Sequence, residues 1–436
     1  MRQIHTYSVL WRARATKRSK PLESFLFIKV LTMQQATLAE QSAPTVIDLF
    51  SGAGGMAEGF RQAGFKTLMA TDYDEMAAKT FQFNHPGVPF VVGDLRELSV
   101  DRILEITKTK KGAPTVVCGG PPCQGFSLAG QRIANDPRNQ LFREFVRVVE
   151  GVRPEFFLFE NVSGLVSMQG GAVLQAILSE FKRVGYACEF KTLNAAEYGV
   201  PQARPRFIII GSRDTAAIGF PLATHLCRVD SFAEGKLEPQ LSFPEGPQQL
   251  TVWDALSDLP EISQGEGSEE LTHSNAYVNA YQFARRGFRF PGVIFNHRAT
   301  SHSERIIERY AAIPEGGDNS QVPEEHRTKK TNVFKLRRDR PARTVTCNHR
   351  TDLLHPVMPR GTTVREAARL QSFDDDYRFF GNLTRKAKWT TQDDQVGNAV
   401  PPLLAKALAD HIKINMNDKK TPSKIKNLLL SAKNSE

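Results

Sequence analysis

The sequence predicts an α/β fold, a doubly wound and mostly parallel sheet joined to a smaller, loop-rich second domain. Short β-rich apolar runs recur with helical stretches between them, and each run ends in turn or acidic residues. Such near-continuous apolar strands belong to a parallel sheet covered on both faces. Over residues 214–345 the alternation disappears. Pro, Gly, Asn and Ser punctuate short segments there, with Arg and aromatic residues interleaved at 281–290. A chain of 436 residues, 40% hydrophobic, is long enough for two cores.

Residues 1–43 carry Arg2, Arg12, Arg14, Lys17, Arg18 and Lys20 without apolar periodicity. They read as a basic extension, disordered or translated from upstream of Met33, rather than a nucleic-acid or targeting arm. The catalytic part begins at 44. Its strands are expected at 45–50, 67–72, 90–94, 115–119, 156–160 and 206–211. Between the fourth and fifth, Leu141, Phe142, Phe145, Val146, Val148 and Val149 share one helical face. The catalytic part therefore spans 44–213, and regular structure returns over 346–411, where Thr363-Val-Arg-Glu366 forms a capping box. The tail, 412–436, is Lys- and Asn-rich and expected to fray. No apolar run approaches the roughly 18 residues of a membrane helix; residues 25–31 are short and contain Lys29. Five cysteines in this length read as reduced thiols in the cytoplasm.

The net charge of +10 lies mostly in the ends, +5 in residues 1–43 and +4 in 412–436. The body is nearly neutral but polarised, with nine basic residues against Asp339 over 327–350. That stripe is either a solvated face or the footprint of phosphate contacts.

Asp48-Leu-Phe-Ser-Gly-Ala-Gly-Gly55 follows the first strand and opens a helix. A dinucleotide fingerprint needs glycine where Ala57 stands, which removes a nicotinamide oxidoreductase. Asp72 and Asp94 end the second and third strands. Carboxylates there suit ribose hydroxyls and would repel a pyrophosphate, so the pattern favours a nucleoside cofactor such as S-adenosylmethionine (AdoMet).

The fourth strand leads into Gly119-Gly-Pro-Pro-Cys-Gln-Gly-Phe-Ser127. A thiol behind two prolines and between glycines is built to be presented, which marks Cys123 as a nucleophile. Glu160 ends the fifth strand. Neighbouring strand ends lie about 5 Å apart, so it can share a pocket with Cys123, where desolvation would weaken its acidity. Arg204 and Arg206 enter the last strand two residues apart and are expected to reach the same pocket.

In these motifs, with Gln202-Ala-Arg-Pro-Arg206, Thr363-Val-Arg-Glu-Ala-Ala-Arg-Leu-Gln371 and Gln395-Val-Gly-Asn-Ala-Val-Pro-Pro402, the sequence resembles the DNA (cytosine-5)-methyltransferases of the monospecific prokaryotic type. Asp72 stands where a glutamate is usual, and Asp374 replaces a common proline. The resemblance implies an AdoMet-dependent, Rossmann-like catalytic domain without metal, interrupted by a target-recognition domain at 214–345. It implies transfer of a methyl group to carbon 5 of a flipped-out cytosine through a covalent Cys123 adduct. Glu160 would donate to ring nitrogen 3, and Arg206, or else Arg204, would hold the ring carbonyl. Phe50, Gly52, Gly54, Asp72, Tyr73, Asp94, Leu95, Pro121, Asn398 and Val400 would surround the cofactor. Gln124, Ser127, Arg337, Arg338, Arg340 and Arg343 are the expected DNA contacts, with 125–139 a loop closing over the base. Double-stranded DNA is the expected partner of a monomeric, cytoplasmic, nucleoid-associated enzyme. It would act as an orphan or beside a restriction endonuclease, without a stable complex. An RNA-directed relative is disfavoured by Gly125 and the long variable segment, and a silent DNA-binding protein by the intact Cys123, Glu160 and Arg206.

Overall fold

The computed structural model describes residues 43–122, 141–213, 218–226, 247–328, 330, 332–383 and 389–420. The basic extension, Cys123, Gln124, Ser127, the expected loop at 125–139 and the tail beyond 420 lie outside the described residues.

The first part of the chain alternates as expected: β1 (Thr45–Leu49), α1 (Gly55–Gln62), β2 (Lys66–Asp72), α2 (Glu75–Asn84), β3 (Phe90–Val92), α3 (Val100–Thr107), β4 (Val116–Gly119), α4 (Leu141–Val152), β5 (Phe156–Val162), α5 (Ala172–Arg183), β6 (Ala187–Asn194) and β7 (Pro205–Ser212). They form one seven-stranded sheet in the order β3-β2-β1-β4-β5-β7-β6. The apolar runs are continuous because alternate residues serve opposite faces. Ile47, Leu49, Val117, Phe157 and Phe159 pack with Phe145, Val149, Ile177 and Phe181 of α4 and α5. Val46, Val116, Cys118, Phe156 and Leu158 face the other way.

The last apolar run departs from the parallel pattern. β7 is antiparallel to both β5 and β6, with Val162 opposite Arg206. β6 is not among the expected strands; its mostly half-exposed residues include Glu189 and Lys191 and lack an apolar run. That edge strand reverses the chain. It therefore brings the beginning of β7, not its end, to the carboxyl end of β5.

The next elements are short: α6 (Val252–Leu256), β8 (Gly267–Thr272), α7 (Ala280–Arg285), β9 (Val293–Arg298), α8 (Glu304–Ala312), β10 (Phe334–Lys335), α9 (His349–Asp352) and β11 (Leu353–Leu354). They are followed by α10 (Val364–Leu370), α11 (Gln392–Asn398) and α12 (Pro402–Lys420). Residues 44–436 group as one unit, and packing crosses position 345. Val252, Leu256, Ile294 and Leu336 share a core with Ala367, Leu370, Phe373 and Val396. Arg369 ties the two stretches with its guanidinium, 2.9 Å from Asp258 and 2.5 Å from Asp375, all fully buried.

The Thr363–Glu366 capping box is present at α10. The expected frayed tail is corrected in part, because α12 runs to Lys420. Leu404, Leu408, Ile412 and Met416 form one buried stripe against Phe60 of α1. The surrounding Lys and Asn residues conceal that stripe in the composition.

Candidate active site

The glycine-rich turn after β1 is bent sharply toward β2. Phe50 takes a left-handed φ of 55°, an uncommon conformation that the fixed neighbours must sustain. The amide of Ser51 donates to the carbonyl of Thr71 at 3.0 Å. Gly54 caps α1 at φ 88°; a Cβ there would stand 2.8 Å from both Phe81 and the Tyr377 hydroxyl. Glycine is thus required by conformation and by space. Asp72 closes the turn from the β2 side, accepting from Gly52 N at 2.8 Å and from Asp74 N at 3.0 Å.

This turn forms one wall of a cavity of about 250 Å³ at the carboxyl ends of the strands, where an open α/β sheet takes its ligands. Of the residues expected around the cofactor, Phe50, Gly52, Asp72, Tyr73, Asp94, Leu95, Asn398 and Val400 line it. Gly54 and Pro121 stand behind the lining. Pro121 instead accepts a 2.9 Å hydrogen bond from the Asn161 side chain. Thr390 and Asp394 also line the cavity and are absent from the expectation. For Asp394 the sequence carries a signal, the capping box Thr391-Gln-Asp-Asp394 that opens α11; Thr390 lies just before it.

Among the described residues the lining includes Asp72, Asp74, Asp94, Asp394 and Glu160 and no Lys, Arg or His. Apolar Phe50, Leu95 and Val400 and neutral polar groups such as Ser51, Thr71 and Asn398 also line the cavity. Burial raises the Asp72 carboxyl above its ordinary pKa despite its backbone donors. Asp94 is the opposite case, held below the ordinary range by Arg96, 2.5 Å away. Acidic and apolar walls without a cation repel phosphates and suit a positively charged nucleoside. AdoMet, with its sulfonium and ammonium, fits that donor set.

Beside the lining residue Glu160, Arg206 Nε lies 2.9 Å from Glu160 Oε1, and only about a tenth of either side chain is exposed. The antiparallel register produces this contact. Glu160 faces Ile208 across the strands, and Arg206 is its diagonal neighbour on the same face. Desolvation raises the Glu160 pKa, while Arg206 and then Arg204 oppose it, leaving a net rise. A Cβ on Gly120 would stand 2.7 Å from Glu160 Oε2, so the residues leading to Cys123 pass against this carboxyl.

Arg204 does not share the pocket. Its guanidinium donates to the carbonyls of Val345 at 2.7 Å, Gly397 at 2.6 Å and Ala399 at 3.0 Å. β7 begins only at Pro205, so the alternation that would align 204 with 206 does not reach back to it.

The basic stripe is divided. Arg337 pairs with Asp339 at 2.8 Å, and Arg338 pairs with Glu315 at 3.0 Å and lies over Trp253. Arg340 is half-buried, and Arg343 is exposed, stacked 3.7 Å from the Phe334 ring. Lys335 and Arg350 turn inward and are buried. The side chains facing outward are thus fewer than the count of charges over 327–350 implies.

The family of C-5 cytosine-specific DNA methylases matches residues 44–414. The chain is 37% identical over 385 residues to the Type II methyltransferase M.DdeI of Desulfomicrobium norvegicum, covering 84% of this chain and 88% of that protein. It is 38% identical over 381 residues to the Type II methyltransferase M1.HphI of Haemophilus parahaemolyticus, covering 86% and 88%. A crystal structure of a prophage-encoded DNA modification methyltransferase from E. coli matches with a TM-score of 0.66 at 28% identity, over 86% of this chain and 100% of that one. No helix among the described residues is long and apolar enough to cross a membrane. With a cavity whose described lining is acidic and apolar and suits AdoMet, beside a buried carboxyl–guanidinium pair, and with matches that span nearly all of the chain after residue 43, the protein belongs to the C-5 cytosine-specific DNA methylase family, the AdoMet-dependent DNA (cytosine-5)-methyltransferases.

Proposed function

We propose that the chain methylates one cytosine within a short specific sequence of double-stranded DNA. It works as a cytoplasmic, nucleoid-associated monomer, either as an orphan modification enzyme or beside a restriction endonuclease that it does not hold in a stable complex. Carbon 5 of cytosine is a poor nucleophile until the aromaticity of the ring is broken. The Cys123 thiolate adds at carbon 6. Glu160 donates to ring nitrogen 3 and stabilises the enamine that forms, while Arg206 holds the carbonyl at ring position 2. Bound AdoMet supplies the methyl group that carbon 5 takes. A base then removes the hydrogen at carbon 5, the Cys123 thiolate is expelled from carbon 6, and ring nitrogen 3 returns its proton to Glu160.

No such geometry fits inside a stacked duplex, so the base is extruded at a cost of a few kcal/mol. Phe50, Asp72, Tyr73, Asp94, Leu95, Asn398 and Val400 hold the methyl donor. Residues 214–345 read the target, with Arg337, Arg338, Arg340 and Arg343 positioning phosphates and Gln124 and Ser127 nearer the extruded base.

The observation that carries this reading is the Glu160–Arg206 pair, whose carboxyl lines the acidic cavity. It supplies a desolvated proton donor and a fixed cation on one side of a single ring. Sequencing DNA from a host expressing the chain, by a method sensitive to 5-methylcytosine, tests the proposal. One modified motif is the expected result. Unmodified DNA from a host producing folded protein would refute it.

A further inference from the structure

The cofactor turn is held from behind by groups that the proposed chemistry does not use. The Tyr377 hydroxyl donates to the carbonyl of Ala53, inside the turn, and lies 3.2 Å from His85 Nε2. Both side chains are buried, and Ala53 lines the cavity. Tyr377 follows α10, far along the chain, and its ring is covered by a residue of the segment assigned to target recognition. The Arg289 guanidinium sits 5.2 Å from the centroid of that ring. It also lies 3.8 Å from Glu58 on α1 and 3.7 Å from Asp376. Asp376 in turn accepts from the backbone amide of Arg289 at 2.6 Å.

One cluster, buried except for the half-buried Arg289, thus joins the variable segment, the residues after α10, the cofactor turn and the helix that the turn opens. We infer that Tyr377 is a positioning residue for AdoMet, and that Arg289 couples the target-recognition segment to the cofactor turn through it. Tyr377 touches the turn's backbone rather than the ligand space, so it acts by fixing where the Ser51, Gly52 and Ala53 groups stand. The inference rests on the reading of the cavity as the AdoMet site.

The test uses the full chain and titrates AdoMet and S-adenosylhomocysteine by calorimetry. Losing one hydrogen bond to a binding loop predicts a rise in Kd of about three- to tenfold for Tyr377→Phe. KM for AdoMet should rise with it, kcat should fall less, and DNA affinity should stay near that of the unaltered protein. Arg289→Lys should weaken AdoMet in the same direction, and the double variant should be less than additive. Phe379→Leu is the control for loosened packing. Its ring lies 5.4 Å from that of Tyr377, and the substitution should lower Tm without changing Kd. Unchanged AdoMet affinity in Tyr377→Phe would overturn the inference, as would Kd losses that simply track Tm across the three variants. Failure of the unaltered protein to bind either ligand would instead refute the cavity's assignment and remove the inference with it.

Discussion

In the proposed chemistry Glu160 donates a proton, and its surroundings favour the protonated form. Burial disfavours its charge, Arg206 favours it, and the balance leaves its pKa above the ordinary glutamate value. A raised carboxyl keeps its proton to higher pH, so the competent form is present below that pKa and lost as pH rises through it. We predict an alkaline fall in kcat that belongs to Glu160. Glu160→Gln keeps the shape and a hydrogen-bond donor but cannot transfer a proton. It should lower kcat by about a hundredfold or more and erase that limb, while DNA and AdoMet binding hold. A rate near normal in steady-state assays would leave Glu160 a structural role alone. The residue itself is legible from its place at a strand end. Its partner is legible as Arg206 ahead of Arg204, because the apolar run begins at 206, but local sequence does not show that Arg204 turns to the returning segment instead.

Arg204 belongs to the scale of elements. Three carbonyls from residues 345, 397 and 399 converge on its guanidinium, so it fastens the returning segment to the start of β7. The same segment carries Asn398 and Val400 into the cavity. Arg204→Met leaves those carbonyls without a donor and should destabilise the fold by about 3 kcal/mol or more, read as a lower Tm, with weaker AdoMet binding. Full stability combined with lost turnover would place Arg204 in the chemistry instead. The parallel strands are readable because burial on both faces writes continuous apolar runs. β6 is not, because an edge strand with half-exposed residues carries no such run. The antiparallel insertion of β7 is hidden for a related reason, since direction is set by connection rather than composition. The buried Arg369–Asp258 pair joins positions 111 apart, and nothing local signals it.

At the scale of the whole molecule, the order of motifs was enough to indicate the return of the chain to the catalytic sheet after a variable segment. The charge distribution was less informative. Over 327–350 the count of nine basic residues overstates what is free to meet phosphate, because pairing and burial depend on the fold. Neutralising Arg337, Arg338 and Arg340 together should weaken DNA binding and flatten the dependence of log Kd on log salt. Since each phosphate contact contributes about 0.9 to that slope, and Arg337 and Arg338 already have acidic neighbours, we expect a change of about one to two units. An unchanged slope would show that this face stays off the DNA. The proposed chemistry rests on a transient carbon–sulfur bond, which a duplex whose target cytosine carries fluorine at carbon 5 would trap. Fluorine replaces the hydrogen that must be removed before elimination, so the full chain with AdoMet should accumulate as a denaturant-stable protein–DNA adduct, and Cys123→Ala should form none. Absence of the adduct from enzyme that still methylates the unfluorinated duplex would contradict the account.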